Sequence, residues 1–540
     1  MKAIIISALA ATIPFAAASG AASAQDLRIG LASEPTSADP HFHALAPNFA
    51  LAKHVFEPLV GMDESQKLIP NLARSWKTLD DLTWEFKLQP NATFSNGQKV
   101  TPRDVIYTYC RLPFVEGSPA NLAFTLKNVV SIEGKGDDTV IIKTSAPAPL
   151  LPNNLASPGI ISADVFGGGK NIKFKVGGCE DFGNNPKPVE FNDPAKAIGS
   201  GPYKFVEFTR GAQIVLERND NYWGEKPIWK KVTMKPLTNS GARVAGLLAG
   251  DVDIIETPSI QDFDRIKGAG FQIAQALSNR VIYIQLDQFN DPNWKSPGIK
   301  GTDKNPLLDK RVRQAMTMAI NRQGIVERIM GGVAAPAGEL LPWPMFGSTK
   351  DFPIPKYDPD AAKKLLADAG YPNGFEITLG TPNDRYINDE KVAQAVAQMW
   401  TRIGVKTNVD AMTASTFFTR RTKFEFSAFL AGWGSGTGEI SDSLLSLSVS
   451  LTPSKGIGTT NRSRYSNPKV DELVLKAIET IDDKTRESLL QQASKLVADD
   501  VGIVPLHFEV TPWAFKKGLG YKARADQYTL AMSVTQGPSN

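Results

Sequence analysis

The segment TWEFKLQPNATFSNGQKVTPRDVIY, from Thr83 to Tyr107, contains signals for a strand, a turn and a helix in one short stretch. Apolar residues occupy every second position from Trp84 to Leu88, which predicts a strand with one buried face. Asn96-Gly97 favours a hairpin turn. Thr101-Pro102 then supplies an N-cap and a proline at the first helical position. A strand that leads into a helix in this way indicates that the protein mixes the two element types.

The same alternation continues along the chain on both sides of this segment. Apolar residues at three- and four-residue spacing predict helices that begin near Ser240, Asp309, Asp358, Val392 and Asn467. Short apolar or alternating runs predict strands, which include residues 213–218, 252–255, 405–409 and 426–433. Helices that alternate with strands predict open sheets with crossover connections, so the expected fold class is α/β.

Chain length bounds the number of hydrophobic cores. The sequence has 540 residues, of which 42% are hydrophobic and 21% are charged, an ordinary composition for a globular protein. A chain of this length is too long for one core, so we expect two or three lobes. We find no internal repeat and no low-complexity tether. The lobes are therefore expected to be interleaved, with a chain that crosses between them more than once.

Residues 1–24 have the pattern of a secretory signal peptide. Lys2 is the only charge, an apolar run extends from Ala3 to Ala18, and Ala22-Ser23-Ala24 forms a small-residue cleavage site. A transmembrane anchor is the alternative, but the run is shorter than the ~20 residues that a span needs and contains Pro14. No cysteine lies near the cleavage point to carry a lipid. The mature chain is expected to be free in the periplasm of a bacterium with two membranes.

Charge and cysteine content narrow the function classes further. The net charge of +4 is small and no basic run occurs, so a nucleic-acid partner is not expected. The two cysteines, Cys110 and Cys179, predict one disulfide in an oxidising compartment, with two buried free thiols as the open alternative. Two isolated thiolates lack the further ligands that a zinc site requires.

The sequence contains none of the motifs that would indicate an enzyme. Neither a G-x-S-x-G nucleophile elbow nor a G-x-x-x-x-G-K-[ST] phosphate loop occurs. The stretch from Gly432 to Gly438, GWGSGTG, is followed by Glu439 where a dinucleotide fingerprint needs its last glycine. Only four histidines are present, and no pair of carboxylates has a context that would tune one as an acid. We therefore predict no catalytic residue, no metal site and no cofactor.

Eight segments spread over the chain carry a family resemblance. They are NLARSWK from Asn71, the segment from Thr83 already quoted, GSGPYKF from Gly199, LERNDNYWG from Leu216, LLAGDVDII from Leu247, NPLLDKRVRQAMTMAINRQGIV from Asn305, YDPDAAKKLLADAGYPNG from Tyr357 and NRSRYSNPKVDELVLKA from Asn461. Each is weakly specific, but their order and spacing are specific together. The chain resembles the peptide/nickel-type solute-binding proteins of ABC importers, family 5 of the extracellular solute-binding proteins.

This resemblance implies a two-lobed periplasmic-binding-protein fold with an extra subdomain in the first lobe. The implied boundaries are 25–277 for the first lobe with its subdomain at about 60–195, 278–504 for the second lobe, and 505–540 for the return to the first lobe. The chain should cross between the lobes near Ser278–Leu286 and Val504–Val510. Such proteins close around a solute and then dock on ABC permease subunits in the inner membrane.

The resemblance also implies where the ligand lies. The expected ligand-binding residues come from the loop after the first strand, from the segment before one helix and from the glycine-rich loop of the second lobe: Glu34, Thr36, Ser37, Arg385, Trp433, Gly434 and Asp442. Asp442 would hold a ligand amino group, Arg385 a carboxylate through its planar fork, and Trp433 would stack between them. Trp433 as a buried plug and Arg385 as an ordinary surface residue remain open alternatives.

The expected function is a monomeric periplasmic receptor that captures short peptides for an ABC importer. Two departures from the family pattern leave the solute open, namely the sequence Glu439–Asp442 in the glycine-rich loop and Asp287 where the family usually has asparagine. The alternatives on the same fold are a nickel chelate, an oligosaccharide or an opine. A periplasmic hydrolase is the alternative from a different class, and no nucleophile or metal site favours it.

Overall fold

The computed structural model describes residues 26–293, 295–455 and 457–537. The predicted signal peptide, residues 1–24, lies outside the described residues. Among the described residues, no helix has both the length and the apolar character needed to cross a bilayer.

The strands, in chain order, are β1 Asp26–Leu31, β2 Val60–Met62, β3 Leu68–Pro70, β4 Ala73–Asp80, β5 Thr83–Leu88, β6 Val129–Lys135, β7 Thr139–Thr144, β8 Tyr203–Thr209, β9 Gln213–Arg218, β10 Lys231–Pro236, β11 Ile254–Glu256, β12 Gln272–Leu286, β13 Ala334–Pro336, β14 Phe375–Pro382, β15 Val405–Met412, β16 Ala428–Gly434, β17 Val504–Phe515, β18 Leu519–Tyr521 and β19 Val534–Gln536.

The α-helices are α1 Ala46–Val55, α2 Pro102–Arg111, α3 Leu151–Asn154, α4 Ser240–Ala249, α5 Phe263–Gly268, α6 Lys310–Met318, α7 Arg322–Arg328, α8 Pro359–Asp368, α9 Asp389–Arg402, α10 Ala414–Thr422, α11 Ile440–Leu447, α12 Pro468–Ala477 and α13 Asp483–Asp499. Short 3₁₀ turns connect several of them.

The helix starts follow the capping signals of the sequence. The Asp358 carboxylate accepts a hydrogen bond from the Ala361 N–H, and Pro359 takes the first helical position of α8. Asp309 caps α6 in the same way. Thr101 and Asp104 form a capping box at α2, so the helix predicted there is confirmed.

One large sheet runs through the whole molecule. Its strand order is β15-β14-β16-β12-β17-β11-β1-β10-β9-β8, and β13 pairs with β17. Parallel pairing occurs on both sides, between β1 and its neighbours β10 and β11 and between β14 and its neighbours β15 and β16. The mixed sheet with crossover helices confirms the predicted α/β class.

The long strands β12 and β17 join the two halves of this sheet. Their pairing is interrupted between Leu277 and Val281, and the residues on either side of the break pair with different neighbours. Towards the start of β12 the sheet continues into β11 and β1, whereas towards its end it continues into β16. We call residues 26–277 and 505–537 the first lobe and residues 278–504 the second lobe. On β12 the interruption lies at the predicted boundary, whereas on β17 it lies between Phe508 and Val510, and the boundaries themselves stay a prediction.

Separate hydrophobic cores fill the two lobes. The core of the first lobe includes residues from Leu27 to Ile254 and again from Trp513 to Val534. Two further cores lie on opposite faces of the second-lobe strands, one with Ile282 and Ile284, the other with Val281 and Tyr283. Because the two lobes do not share a core, each is able to keep its shape if the angle between them changes.

The region between β3 and β8 forms a smaller unit on the first lobe. Its antiparallel sheet has the order β4-β5-β7-β6 and packs against α2. Cys110, at the end of α2, forms a disulfide with Cys179, with a distance of 5.9 Å between their α-carbons. The bond fixes the glycine-rich segment around Cys179 to this helix.

Candidate functional site

A cavity of about 730 Å³ lies between the two lobes. Its first-lobe wall includes Gln66, Trp76, Trp84 and Asn153, and its second-lobe wall includes Trp343, Phe346, Thr437, Gly438, Glu439 and Arg486. Trp343 is 55% exposed, which is unusual for so large an apolar side chain. A concave space lined by aromatic and a few polar groups is the usual form of a small-molecule site.

The glycine-rich loop after β16, residues 434–439, reaches across to the first lobe. The Asn153 side-chain amide donates to the Thr437 carbonyl at 2.9 Å. Asn279, on β12, donates to the Ser435 carbonyl at 2.6 Å and to the Gln66 side-chain oxygen at 2.8 Å. The carbonyl groups of this loop are therefore held by side-chain amides from the hinge and from the opposite lobe.

Gly438 is required where this loop meets the first lobe. Its φ of +72° lies in the left-handed region, and a β-carbon at this position would lie 2.9 Å from the β-carbon of Gln66. Gly436, two residues earlier, has no atom within 4 Å of such a β-carbon. A side chain is therefore tolerated at Gly436 but obstructs the contact between the lobes at Gly438.

A buried ion pair supports the second-lobe wall of the cavity. Arg486 donates to both carboxylate oxygens of Glu439 at 2.9 and 3.0 Å, and its guanidinium lies 4.3 Å from the centre of the Phe346 ring. Burial raises the pKa of Glu439 to about 7, and the positive charge of Arg486 opposes this rise. This pair fixes the end of the glycine-rich loop to helix α13.

A second polar cluster lies on the hinge strands. Arg280 on β12 lies 3.4 Å from the Glu509 carboxylate on β17 and donates to the Gln527 side-chain oxygen at 3.2 Å. Gln527 in turn donates to the Thr511 hydroxyl at 2.8 Å. Burial raises the pKa of Glu509, and Arg280 opposes that rise. These groups tie the hinge strands to the C-terminal segment of the first lobe.

The predicted first-lobe residues support their own loop. Glu34 accepts the Gly211 N–H at 2.7 Å. The Thr36 N–H and hydroxyl both contact the Asn48 side-chain oxygen, and the Ser37 hydroxyl accepts the Asp39 N–H at 3.1 Å. None of the three lines the cavity.

The predicted second-lobe residues fall into two places. Trp433, Gly434 and Asp442 lie together at the glycine-rich loop, where Asp442 accepts the Gly436 N–H at 3.0 Å. Burial raises the pKa of Asp442, and hydrogen bonds from Gly436, Trp433 and Ser435 oppose the rise. Arg385 is exposed, with its guanidinium 5.3 Å from the centre of the Tyr386 ring. These four residues also lie outside the lining of the cavity.

Sequence reasoning missed Gln66, Asn153, Asn279, Arg280 and Glu509. The last three carry a signal, because they are polar residues within apolar crossing strands, in ALSNRVIYI and PLHFEV. Polar groups inside a buried strand need partners, and at a hinge those partners lie at the cleft. Gln66 and Asn153 lie in irregular segments of the sequence that give no such signal.

The comparisons with known proteins agree with this architecture. A family model described as "Bacterial extracellular solute-binding proteins, family 5 Middle" matches residues 67–453. The chain therefore belongs to family 5 of the bacterial extracellular solute-binding proteins. Members of this family bind solutes, and the predicted two-lobed binding-protein fold is confirmed.

Individual relatives differ in the ligands that their names state. The chain is 28% identical to the oligopeptide-binding protein AppA of Bacillus subtilis, over 94% of this chain and 90% of that protein. It is 27% identical to heme-binding protein A of Haemophilus influenzae, over 85% of this chain and 83% of that protein. Among solved structures, HbpA2 from Haemophilus parasuis superimposes with a TM-score of 0.78 at 24% identity, covering 95% of this chain and 99% of the other. AppA from B. subtilis, in complex with a nonapeptide, gives 0.70 at 24% identity, covering 95% and 99%.

Proposed function

We propose that this chain is a periplasmic receptor that encloses a short peptide between its lobes and delivers it to the permease of an ABC importer. The observation that carries this proposal is the cavity of about 730 Å³ with walls from both lobes. Its volume is within the roughly 300–1,000 Å³ typical of ligand pockets. The side-chain amides and loop carbonyls beside it suit a ligand with its own amide groups, and relatives that cover most of the chain are named for peptides.

The lobes and their hinge supply the mechanism. Two strands, β12 and β17, connect separate cores, and the Gly438–Gln66 and Asn153–Thr437 contacts form only when the lobes approach one another. Ligand binding then favours the closed form because the ligand contacts both walls at once. The closed monomer is the form that docks on the permease.

Binding and closure are tested together. A tripeptide library is screened by thermal shift, with nickel chelates, oligosaccharides and opines as comparison ligands, and the radius of gyration of each complex is measured by X-ray scattering. A peptide should raise the unfolding midpoint by mass action and reduce the radius. A midpoint that rises only with one of the comparison solutes would replace the peptide assignment.

A matched pair of glycine variants isolates the closure step. Gly438→Ala should weaken peptide binding and leave the scattering radius near its ligand-free value, because its β-carbon meets Gln66. Gly436→Ala should bind and close like the parent, because nothing lies near its β-carbon. Equal binding by both variants would contradict closure at this loop.

A further inference from the structure

Large aromatic rings line the cavity between the lobes from both sides. Trp76 and Trp84 belong to its first-lobe wall, and Trp343 and Phe346 belong to its second-lobe wall. The hydrogen bonds that join the lobes use side-chain amides and loop carbonyls instead. The rings therefore do not hold the lobes together, and they are available to a ligand in the enclosed space.

The first-lobe rings lie on one face of the antiparallel ladder between β4 and β5. Trp76 pairs directly with Phe86, and Trp84 lies two residues before Phe86 on the same strand. Directly paired residues project to the same face, as do residues two apart, so the three rings share that face. Phe86 is fully buried, and its ring stacks on that of Trp84 with 6.3 Å between the ring centres. A ring of the core thus supports this wall of the cavity.

The second-lobe wall contains a short, stiff turn, residues 342–345, with the sequence PWPM. The Met345 N–H donates to the Pro342 carbonyl at 3.1 Å, and the prolines on both sides of Trp343 restrict the backbone. Phe346 follows the turn, and its carbonyl accepts the first N–H of α11 at 3.1 Å. The backbone that carries Trp343 is therefore fixed before a ligand arrives, which lowers the entropic cost of binding.

Trp343 contributes little to the folded core. Its side chain is 55% exposed, and it belongs to none of the hydrophobic clusters that the described residues form. Covering so large an apolar surface is favourable because it releases the surface from water. A ligand that covers this indole therefore gains binding free energy without disturbing the packing of the lobe.

Protein cations already contact both rings of the second-lobe wall. The Lys350 ammonium lies 5.7 Å from the centre of the Trp343 ring, and the Arg486 guanidinium lies 4.3 Å from the centre of the Phe346 ring. A cationic ligand side chain that approached these rings would meet a like charge there, which opposes its cation–π attraction. An uncharged ring is not repelled in this way, so the wall favours an aromatic group over a cationic one.

We propose that the two aromatic walls enclose an aromatic side chain of the ligand, so that the receptor prefers peptides with phenylalanine, tyrosine or tryptophan. This inference rests on the proposed function and adds the class of ligand. An aromatic ring buries a large apolar area and also gains from offset or edge-to-face packing on other rings. A leucine side chain gains from the buried area alone. The ligand ring is held by Trp343 on one side and by Trp76 on the other.

The test compares tripeptides that differ in one side chain. Affinities are measured by calorimetry for Ala-Phe-Ala, Ala-Leu-Ala, Ala-Gln-Ala and Ala-Lys-Ala. The parent should bind Ala-Phe-Ala roughly ten- to a hundred-fold more tightly than Ala-Gln-Ala, because a phenyl ring leaves water. It should bind Ala-Phe-Ala roughly two- to tenfold more tightly than Ala-Leu-Ala, because of the contacts between rings. Tighter binding of Ala-Lys-Ala than of Ala-Phe-Ala overturns the inference in favour of a cation site.

Variants then assign the preference to the two walls. Trp343→Leu keeps an apolar group and removes the ring, so it should abolish the preference for Ala-Phe-Ala over Ala-Leu-Ala, whereas Trp343→Phe should keep much of it. Trp76→Leu tests the first-lobe wall in the same way. Phe124→Ala is the matched control, because Phe124 is 58% exposed and lies outside the cavity lining, and it should keep the full preference. Circular dichroism confirms that each variant is folded.

The outcomes separate this inference from the proposed function. Equal affinity of the parent for Ala-Phe-Ala and Ala-Gln-Ala overturns the aromatic site and leaves the peptide receptor intact. A preference that survives either Trp343→Leu or Trp76→Leu overturns the enclosure by two walls. If no peptide binds, the proposed function fails, and the walls are tested by thermal shift with N-acetylphenylalaninamide and N-acetylglutaminamide. A midpoint rise with the aromatic probe alone, seen in the parent and in Phe124→Ala but absent in Trp343→Leu, supports the site. No rise in the parent overturns it.

Discussion

A buried arginine of the first lobe and two arginines of the second lobe differ in their partners. In the first lobe, Arg111 is fully buried and its terminal nitrogens donate to both oxygens of Asp39, to the His41 ring and to the Pro186 carbonyl. In the second lobe, Arg421 and Arg462 have no carboxylate partner within the described residues, although the buried Arg486 there is paired with Glu439. The Arg111 arrangement stabilises a loop, whereas Arg421 and Arg462 contribute no ion pair to the fold.

Two buried histidines show the same contrast. The His41 Nδ1 accepts from Arg111, which leaves Nε2 to donate to the Gly159 carbonyl at 2.7 Å. The ring nitrogens of His507, on hinge strand β17, have no partner in the part of the chain that the structure describes. Burial lowers the pKa of each ring to about 4. His41 is thus held by partners in the first lobe, whereas His507 is buried at the hinge without a partner among the described residues.

The largest effect expected from this contrast concerns Arg111. Arg111→Gln should lower the free energy of unfolding by about 3–5 kcal/mol, because it leaves the buried Asp39 carboxylate without its counter-charge. Arg421→Gln should change it by less than about 1 kcal/mol, because no buried carboxylate loses its counter-charge. Urea unfolding followed by circular dichroism measures both.

A double variant checks the cause of that loss. Arg111→Met combined with Asp39→Leu removes both charges and should recover much of the stability that Arg111→Gln loses. Equal losses for Arg111→Gln and Arg421→Gln would contradict the contrast between the two lobes.

The histidines give a pH-dependent prediction. A histidine in the unfolded chain titrates near pH ~6.5, above the folded value of about 4. Between these values the unfolded chain binds more protons, so stability falls as the pH drops through this window. One such group should cost about 2 kcal/mol between pH 7 and pH 5. His507→Leu removes this loss, so its stability relative to the parent should rise as the pH is lowered.

His41→Leu is the matched control for this pH effect. It removes the same titration but also breaks the hydrogen bonds to Arg111 and Gly159, so it should be less stable than the parent at pH 7. His507→Leu should be neutral or stabilising at pH 7, because an unpartnered ring loses nothing. Unfolding of the parent and of both variants is measured at pH 7 and pH 5, and a destabilised His507→Leu at pH 7 would show that its ring has a partner in solution.

The sequence predicted local structure well because capping and apolar spacing are local signals. Asp309, Asp358 and Thr101 each begin the predicted helix, since a side-chain oxygen needs only the backbone N–H groups that follow it. The predicted α/β class follows from the order of such elements. The family resemblance added the two lobes, which element order alone leaves open.

The site was less predictable because its contacts join distant parts of the chain. Gln66 meets Ser435 across a sequence separation of 369 residues, and Asn153 meets Thr437 across 284. No local pattern specifies such pairs, since they depend on the angle at which two lobes close. The sequence located the glycine-rich loop, but it favoured Trp433 and Asp442, whereas Thr437, Gly438 and Glu439 line the cavity.

The smallest expected effect on stability belongs to the two predicted charge anchors, Arg385 and Asp442. Arg385 is exposed, so Arg385→Gln should change the free energy of unfolding by less than about 0.5 kcal/mol. Asp442→Asn keeps an oxygen that accepts the Gly436 N–H and should also change the free energy of unfolding little.

If Arg385 binds a ligand carboxyl terminus, Arg385→Gln weakens binding of a free tripeptide roughly tenfold and leaves binding of the corresponding C-terminal amide unaffected. Asp442→Asn should likewise weaken a peptide with a free amino group more than its N-acetyl form. Calorimetry with these capped and uncapped peptides separates ligand contact from loop support, because a residue that only holds the loop changes all affinities equally. Equal changes would leave Arg385 as a surface residue and Asp442 as a loop support.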